Sequence, residues 1–167
     1  TGNIGDSYIG LQILKNKITV NKKISNFFIK KYFHPELQIK LTNYLFKFAN
    51  TSIDISDGLI GDLEKMINRQ NFSFLIKENK IPISLNLKKL ISKKKLKKIN
   101  TVTNGDDYQI LFTASLNKSR IIKRISKKLG VKITKIGKII SGKKKSSIID
   151  VKGKQIKAIN NAYKHEF

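Results

Sequence analysis

The sequence predicts an α+β domain: a mixed β-sheet with helices packed on its faces. Two observations carry that prediction. Apolar residues recur at helical spacing through the first third of the chain, and strand-like and helix-like segments then interleave through the second half. The 167 residues are 40% hydrophobic and 28% charged, which is enough to bury one core. No repeat or linker divides the chain, so residues 1–167 are expected to form a single domain.

The elements follow in order. A glycine-containing turn leads into a short helix over Asp6–Leu14, with Ile9, Ile13 and Leu14 on one face. Asn21–Phe33 carries Ile24, Phe27, Phe28 and Tyr32 at helical spacing. Pro35 suits a first helical turn, and Pro35–Phe48 repeats apolar residues at Leu37, Leu41, Tyr44, Leu45 and Phe48. Thr51–Ile55 alternates like a strand. Ser56-Asp57-Gly58 reads as a turn and N-cap before a helix from Leu59 to about Asn68, and Asp62 within it is expected on the solvated surface. Phe72–Glu78 alternates and reads as a strand; Asn86–Ile99 reads as a lysine-rich helix. A strand over Asp107–Thr113 precedes a helix over Asn117–Leu129 that ends at Gly130. Strands over Val131–Ile140, with a bend at Gly137, and Ser146–Val151 are joined by a Gly-Lys-Lys-Lys turn.

Charge and composition narrow the function classes. There is no cysteine, which excludes disulfides, zinc-thiolate sites and a thiol nucleophile. No apolar run reaches the length of a membrane span, and no signal peptide is visible, so a cytoplasmic location is expected. The net charge is +24, the usual mark of a nucleic-acid binder. Yet arginine occurs only at positions 69, 120 and 124, and the lysines are spread along the chain. Lysine, isoleucine and asparagine all have A/T-rich codons, so genome bias accounts for the composition, and nucleic acid is not the expected partner. Small phosphorylated anions suit the positive field.

The acids are the informative residues. Six of the seven aspartates lie in or beside three short motifs. Gly2-Asn3-Ile4-Gly5-Asp6-Ser7 can bring backbone N–H groups to an anion, or can be an ordinary turn with an Asp or Ser cap. In Asp54-Ile55-Ser56-Asp57-Gly58, Asp54 and Ser56 share one side of a strand end and Asp57 can face the same space. Two carboxylates and a hydroxyl suit Mg²⁺, which takes a few carboxylates plus water and phosphate oxygens. The plainer reading makes Asp57 a helix cap and Asp54 an edge residue. In Asn104-Gly105-Asp106-Asp107-Tyr108 a tight turn precedes two adjacent acids, which face opposite ways if extended, so that one at most serves a given site. His34 and His165 stand beside no nucleophile motif, and no phosphate-binding Gly-x-x-x-x-Gly-Lys-Ser/Thr loop is present.

Together, Thr1-Gly-Asn-Ile-Gly-Asp-Ser-Tyr-Ile-Gly-Leu11, Asp54-Ile-Ser-Asp-Gly-Leu59, Asn104-Gly-Asp-Asp-Tyr-Gln-Ile-Leu-Phe-Thr113 and the terminal Ala162-Tyr-Lys-His-Glu-Phe167 resemble the C-terminal half of the thiamine-monophosphate kinase family. That resemblance implies the fold of the C-terminal domain of aminoimidazole ribonucleotide synthetase-type enzymes. It also implies an N-terminal ATP- and metal-binding domain absent from this chain, and a homodimer when complete. The implied reaction is transfer of the ATP γ-phosphoryl group to thiamine monophosphate. Selenophosphate synthetase and aminoimidazole ribonucleotide synthetase are the alternatives within the superfamily. By motif, Asp54 and Asp57 would bind Mg²⁺ and Ser56 would contact ATP. Asp106 and Tyr163 would bind the thiamine substrate, with Asp6 and Phe167 as weaker candidates. The sequence departs from the family pattern at Asp106, where glutamate is usual, and at Asn104 and Ala162, where glycine is usual. An extra Glu166 stands before Phe167.

Overall fold

A computed structural model describes residues 1–67, 71–142 and 145–156. Helix α1 (Asp6–Leu14) and helix α2 (Lys22–Phe33) form an antiparallel pair. The Asn21 side chain caps α2 by accepting the Ile24 amide at 3.0 Å. Their apolar faces meet helix α5 (Leu85–Lys94) around Ile9, Phe28, Leu87 and Leu90, all buried. Phe27 stands edge-on to Phe28 with ring centroids 5.1 Å apart.

The strands make two sheets where the sequence predicts one. Strand β1 (Thr51–Asp54) pairs antiparallel with β3 (Ile110–Thr113), Thr51 facing Thr113 and Asp54 facing Ile110. The second sheet has the order β4-β2-β5-β6. There β2 (Phe72–Lys77) runs antiparallel to β4 (Gly137–Ser141) and parallel to β5 (Ser147–Ile149), and β6 (Gln155–Ile156) closes the edge. Helix α4 (Leu59–Ile67) and the short α6 (Lys98–Val102) supply Leu59, Leu63, Ile99 and Val102 to the core against Phe74, Ile76 and Ile148 of this sheet. Helices α3 (Ile39–Leu45) and α7 (Ser119–Leu129) cover the small sheet, with Leu41, Phe48 and Ile125 at the centre of a third cluster.

Four elements differ from the sequence reading, each for a visible reason. The segment from Pro35 stays irregular to Gln38, because the Gln109 side chain takes the Glu36 carbonyl at 2.9 Å and withholds it from a helix. The lysine-rich helix breaks at Lys95, which adopts φ 53°; α6 then restarts at Lys98. Lys98 Nζ donates to the carbonyls of Glu78 (2.8 Å) and Ile81 (2.6 Å), so this lysine is structural and burial lowers its pKa. Strand β3 begins at Ile110 because Asp106 and Tyr108 take positive φ values, 67° and 50°, which break the pleat. Strand β4 begins only at Gly137, the position of the expected bend.

Candidate functional site

The second and third acidic motifs meet through their backbones. The Asp106 amide donates to the Ser56 carbonyl at 3.0 Å, the Tyr108 amide to Ile55 at 2.8 Å, and the Ile55 amide to Gln109 at 2.8 Å. Glycine is required on both sides of this clasp. A Cβ at Gly105 would overlap the Ser56 carbonyl oxygen, and one at Gly58 (φ 115°) would overlap that of Thr103. Residues about 50 apart in sequence are thereby held in one rim, with Ser56, Asp57 and Asp106 half-buried along it.

The Asp106 carboxyl lies close enough to Asp57 to feel its charge. Burial raises the Asp106 pKa, and the negative Asp57 raises it further. Asp54, at the exposed end of β1, has no hydrogen bond or ion pair on its side chain among the described residues. Asp57 is paired with Lys65 of α4, whose pKa is raised chiefly by that bond. Among the described residues no group of three or more metal-ligating side chains gathers. Asp54, Ser56 and Asp57 do not by themselves make a complete Mg²⁺ site; an ion held by these side chains would need phosphate oxygens, water or other ligands to fill its shell.

Asp62 departs most from expectation. It is 1% exposed rather than solvated. Its Oδ2 accepts three consecutive amides, from Ser56 (3.0 Å), Asp57 (2.9 Å) and Gly58 (3.0 Å). Its Oδ1 faces Lys65 Nζ at 3.4 Å. Burial raises its pKa against those amides and the lysine. An acid in the first turn of a helix that follows a Ser-Asp-Gly turn is the sequence signal that identifies such a residue.

The adjacent acids divide, although positive φ at Asp106 removes the alternation of an extended strand. Asp106 feels the charge of Asp57, whereas Asp107 accepts the amides of Gly5 (2.6 Å) and Ser7 (3.4 Å). Asp6 lies on this second side, accepting the Ser84 hydroxyl at 2.7 Å. Burial pushes Asp107 up to about 7, with a further push from Asp6, and burial pushes Asp6 up to about 6. Lys31, Glu36 and Lys132 help line the cavity there, of about 150 Å³. The structure thus brings Asp6 to Asp107, while Ser56, Asp57 and Asp106 share the rim. Tyr163 and Phe167 lie outside the described residues.

No protein-family profile matches the chain. Among curated proteins, a thiamine-monophosphate kinase of Buchnera aphidicola from Acyrthosiphon pisum is 40% identical over 142 residues, 83% of this chain and 43% of that protein. One from Escherichia coli K12 is 32% identical over 141 residues, with the same shares covered. The chain spans less than half the length of these relatives. Among solved structures, thiamine monophosphate kinase from Aquifex aeolicus has 28% identity and a TM-score of 0.73, covering 93% of this chain and 49% of that one. A structure described as AaThiL complexed with AMPPCP and TMP has 27% identity and a TM-score of 0.74, covering 93% and 47%. The E. coli hydrogenase maturation protein HypE, at 11% identity and a TM-score of 0.63, shares the fold alone.

Proposed function

We propose, from the premise that the chain matches the C-terminal half of the thiamine-monophosphate kinases, that it supplies the second half of such an enzyme's active site. The complete enzyme would move the γ-phosphoryl group of ATP to the phosphate of thiamine monophosphate, giving thiamine diphosphate. The rim shared by Ser56, Asp57 and Asp106 carries this reading, because it joins the two most specific motifs of the resemblance.

The acceptor is an anionic phosphate oxygen at neutral pH, so no strong base is needed and positioning dominates. Bound Mg²⁺ would supply charge neutralisation between crowded phosphates. Asp54 and Asp57 would hold it, with Lys65 yielding the Asp57 carboxylate, and Ser56 would contact ATP. Asp106 would take the aminopyrimidine of thiamine, and Tyr163, with Phe167 as the alternative, would stack on the cationic ring. The remaining ligands would come from an N-terminal domain, and the complete protein would be a cytoplasmic homodimer. Among the described residues no helix is long and apolar enough to cross a membrane. Phe33, Leu37, Ile39 and Phe46 are more than half exposed along the end of α2 and α3, apolar surface of the kind a packed domain covers.

Two measurements test the proposal. An enzyme joining this chain to such an N-terminal domain should form thiamine diphosphate from thiamine monophosphate and ATP, and absence of product rejects it. Calorimetry of the chain alone with Mg-ATP should show weak binding; tight binding would overturn the division of the site between two domains.

A further inference from the structure

We propose that Asp62 is a positioning residue that sets the Ser56–Asp57–Gly58 turn for phosphoryl transfer. The inference rests on the kinase reading above and deepens it. Three consecutive amides converging on one point form an anion-binding nest at the start of α4. Such a nest could itself take a phosphate oxygen. Here the chain's own carboxylate fills it, 1% exposed and closed to exchange with solvent. The turn therefore cannot greet a phosphate with its backbone and must present side chains instead. Asp62 also reaches the Asp57 carboxylate from its far end. Its Oδ1 faces Lys65, and Lys65 is the ion-pair partner of Asp57. Backbone and side chain of Asp57 are thus both oriented by one buried acid. No other described side chain accepts an amide from this turn.

The test compares variants in the complete enzyme. Asp62→Asn keeps the shape but gives up the charge that gathers the amides and holds Lys65. The Mg²⁺ concentration for half-maximal rate should rise about tenfold, while KM for thiamine monophosphate changes less than about twofold. A residue that only stabilises the fold would lower the melting temperature and the active fraction, and leave the Mg²⁺ dependence as it was. That outcome overturns the proposal. Asp57→Asn, run beside it, separates the two readings. If Asp57→Asn loses turnover and Asp62→Asn keeps the normal Mg²⁺ dependence, the positioning role fails and the kinase reading stands. If Asp57→Asn itself leaves turnover and Mg²⁺ dependence normal, the metal role of Asp57 fails and takes this positioning role with it, whereas the kinase reading fails only if the complete enzyme forms no thiamine diphosphate. Hydrogen exchange on the unsubstituted chain adds a readout that needs no folded variant. The amides of Ser56, Asp57 and Gly58 should be protected although they lie in a turn, and exchange at the rate of open amides would overturn the proposal.

Discussion

Two loops of this protein are built by the same device and end in different surroundings. In each, a buried aspartate accepts backbone amides of a glycine-containing turn just before a helix. Asp62 does so for Ser56–Gly58, and Asp107 does so for Gly5 and Ser7. The difference lies in what faces the carboxylate. Asp62 has Lys65 beside it, half exposed and shared with Asp57. Asp107 has Asp6, a second buried acid, and burial drives the two up to about 7 and about 6, with Asp6 adding to the rise at Asp107. Burial raises the Asp62 pKa as well, but there the turn amides and the Lys65 cation oppose the rise. The Asp107 loop borders a cavity of about 150 Å³ lined by both of its acids. Similar backbone geometry therefore serves a lysine-paired rim in one loop and a buried pair of acids in the other.

The lysine-paired rim should respond most strongly to substitution. Asp57→Asn in the complete enzyme should lower kcat by about a hundredfold or more with the fold intact, since in the proposed role it removes one charge from a metal ligand while Asp62 keeps the amides of the turn. Steady-state kinetics across a Mg²⁺ titration check it; near-normal turnover would leave Asp57 only its ion pair with Lys65. Asp106→Asn should do less, raising KM for thiamine monophosphate about tenfold and KM for ATP little, if it takes the thiamine part of the substrate as proposed. Equal changes in both constants would move Asp106 out of that role.

The buried pair of acids should respond more weakly, through the dependence of stability on pH. Asp6 and Asp107 hold protons in the folded state to a pH well above the 3.8 of an ordinary aspartate. Between those limits the folded state binds more protons than the unfolded one. Their contribution is therefore greatest in acid and is lost as pH rises from about 4 toward 7. Melting temperatures between pH 5 and 7.5 should show that fall, and Asp6→Asn should shrink it by a few degrees (about 2–4 °C per kcal/mol at this chain length). An unchanged slope in the variant would mean that the two acids do not titrate as a buried pair.

The local signals of the candidate rim were legible in the sequence. Ser56, Asp57 and Asp106 stand out there because turn chemistry acts over a few residues, and the structure joins their two motifs through the backbone. Asp62 was misread for a reason of range: an acid inside a helix looks solvated unless the turn before it is known to point its amides backward. The breaks at Lys95 and around Asp106–Tyr108 were hidden because non-glycine residues there take positive φ, at Lys95 as the left-handed end of a helix and at Asp106–Tyr108 within the clasp to Ile55 and Ser56. The second sheet was likewise not legible, since pairing between distant strands leaves no local pattern to separate one sheet from two.

The clasp between Ile55–Ser56 and Asp106–Gln109 has a kinetic consequence. Its partners are separated by about 50 residues, and β2 meets β5 across more than 70. The helical pair α1–α2 needs only a short loop to close, whereas the rim exists only after the chain between its halves has been drawn in. Folding should start with the helices and finish with the clasp, in the slower range set by distant strand pairing. A chain arrested on that path would carry nearly all of its helical circular dichroism and none of the juxtaposition between Asp57 and Asp106.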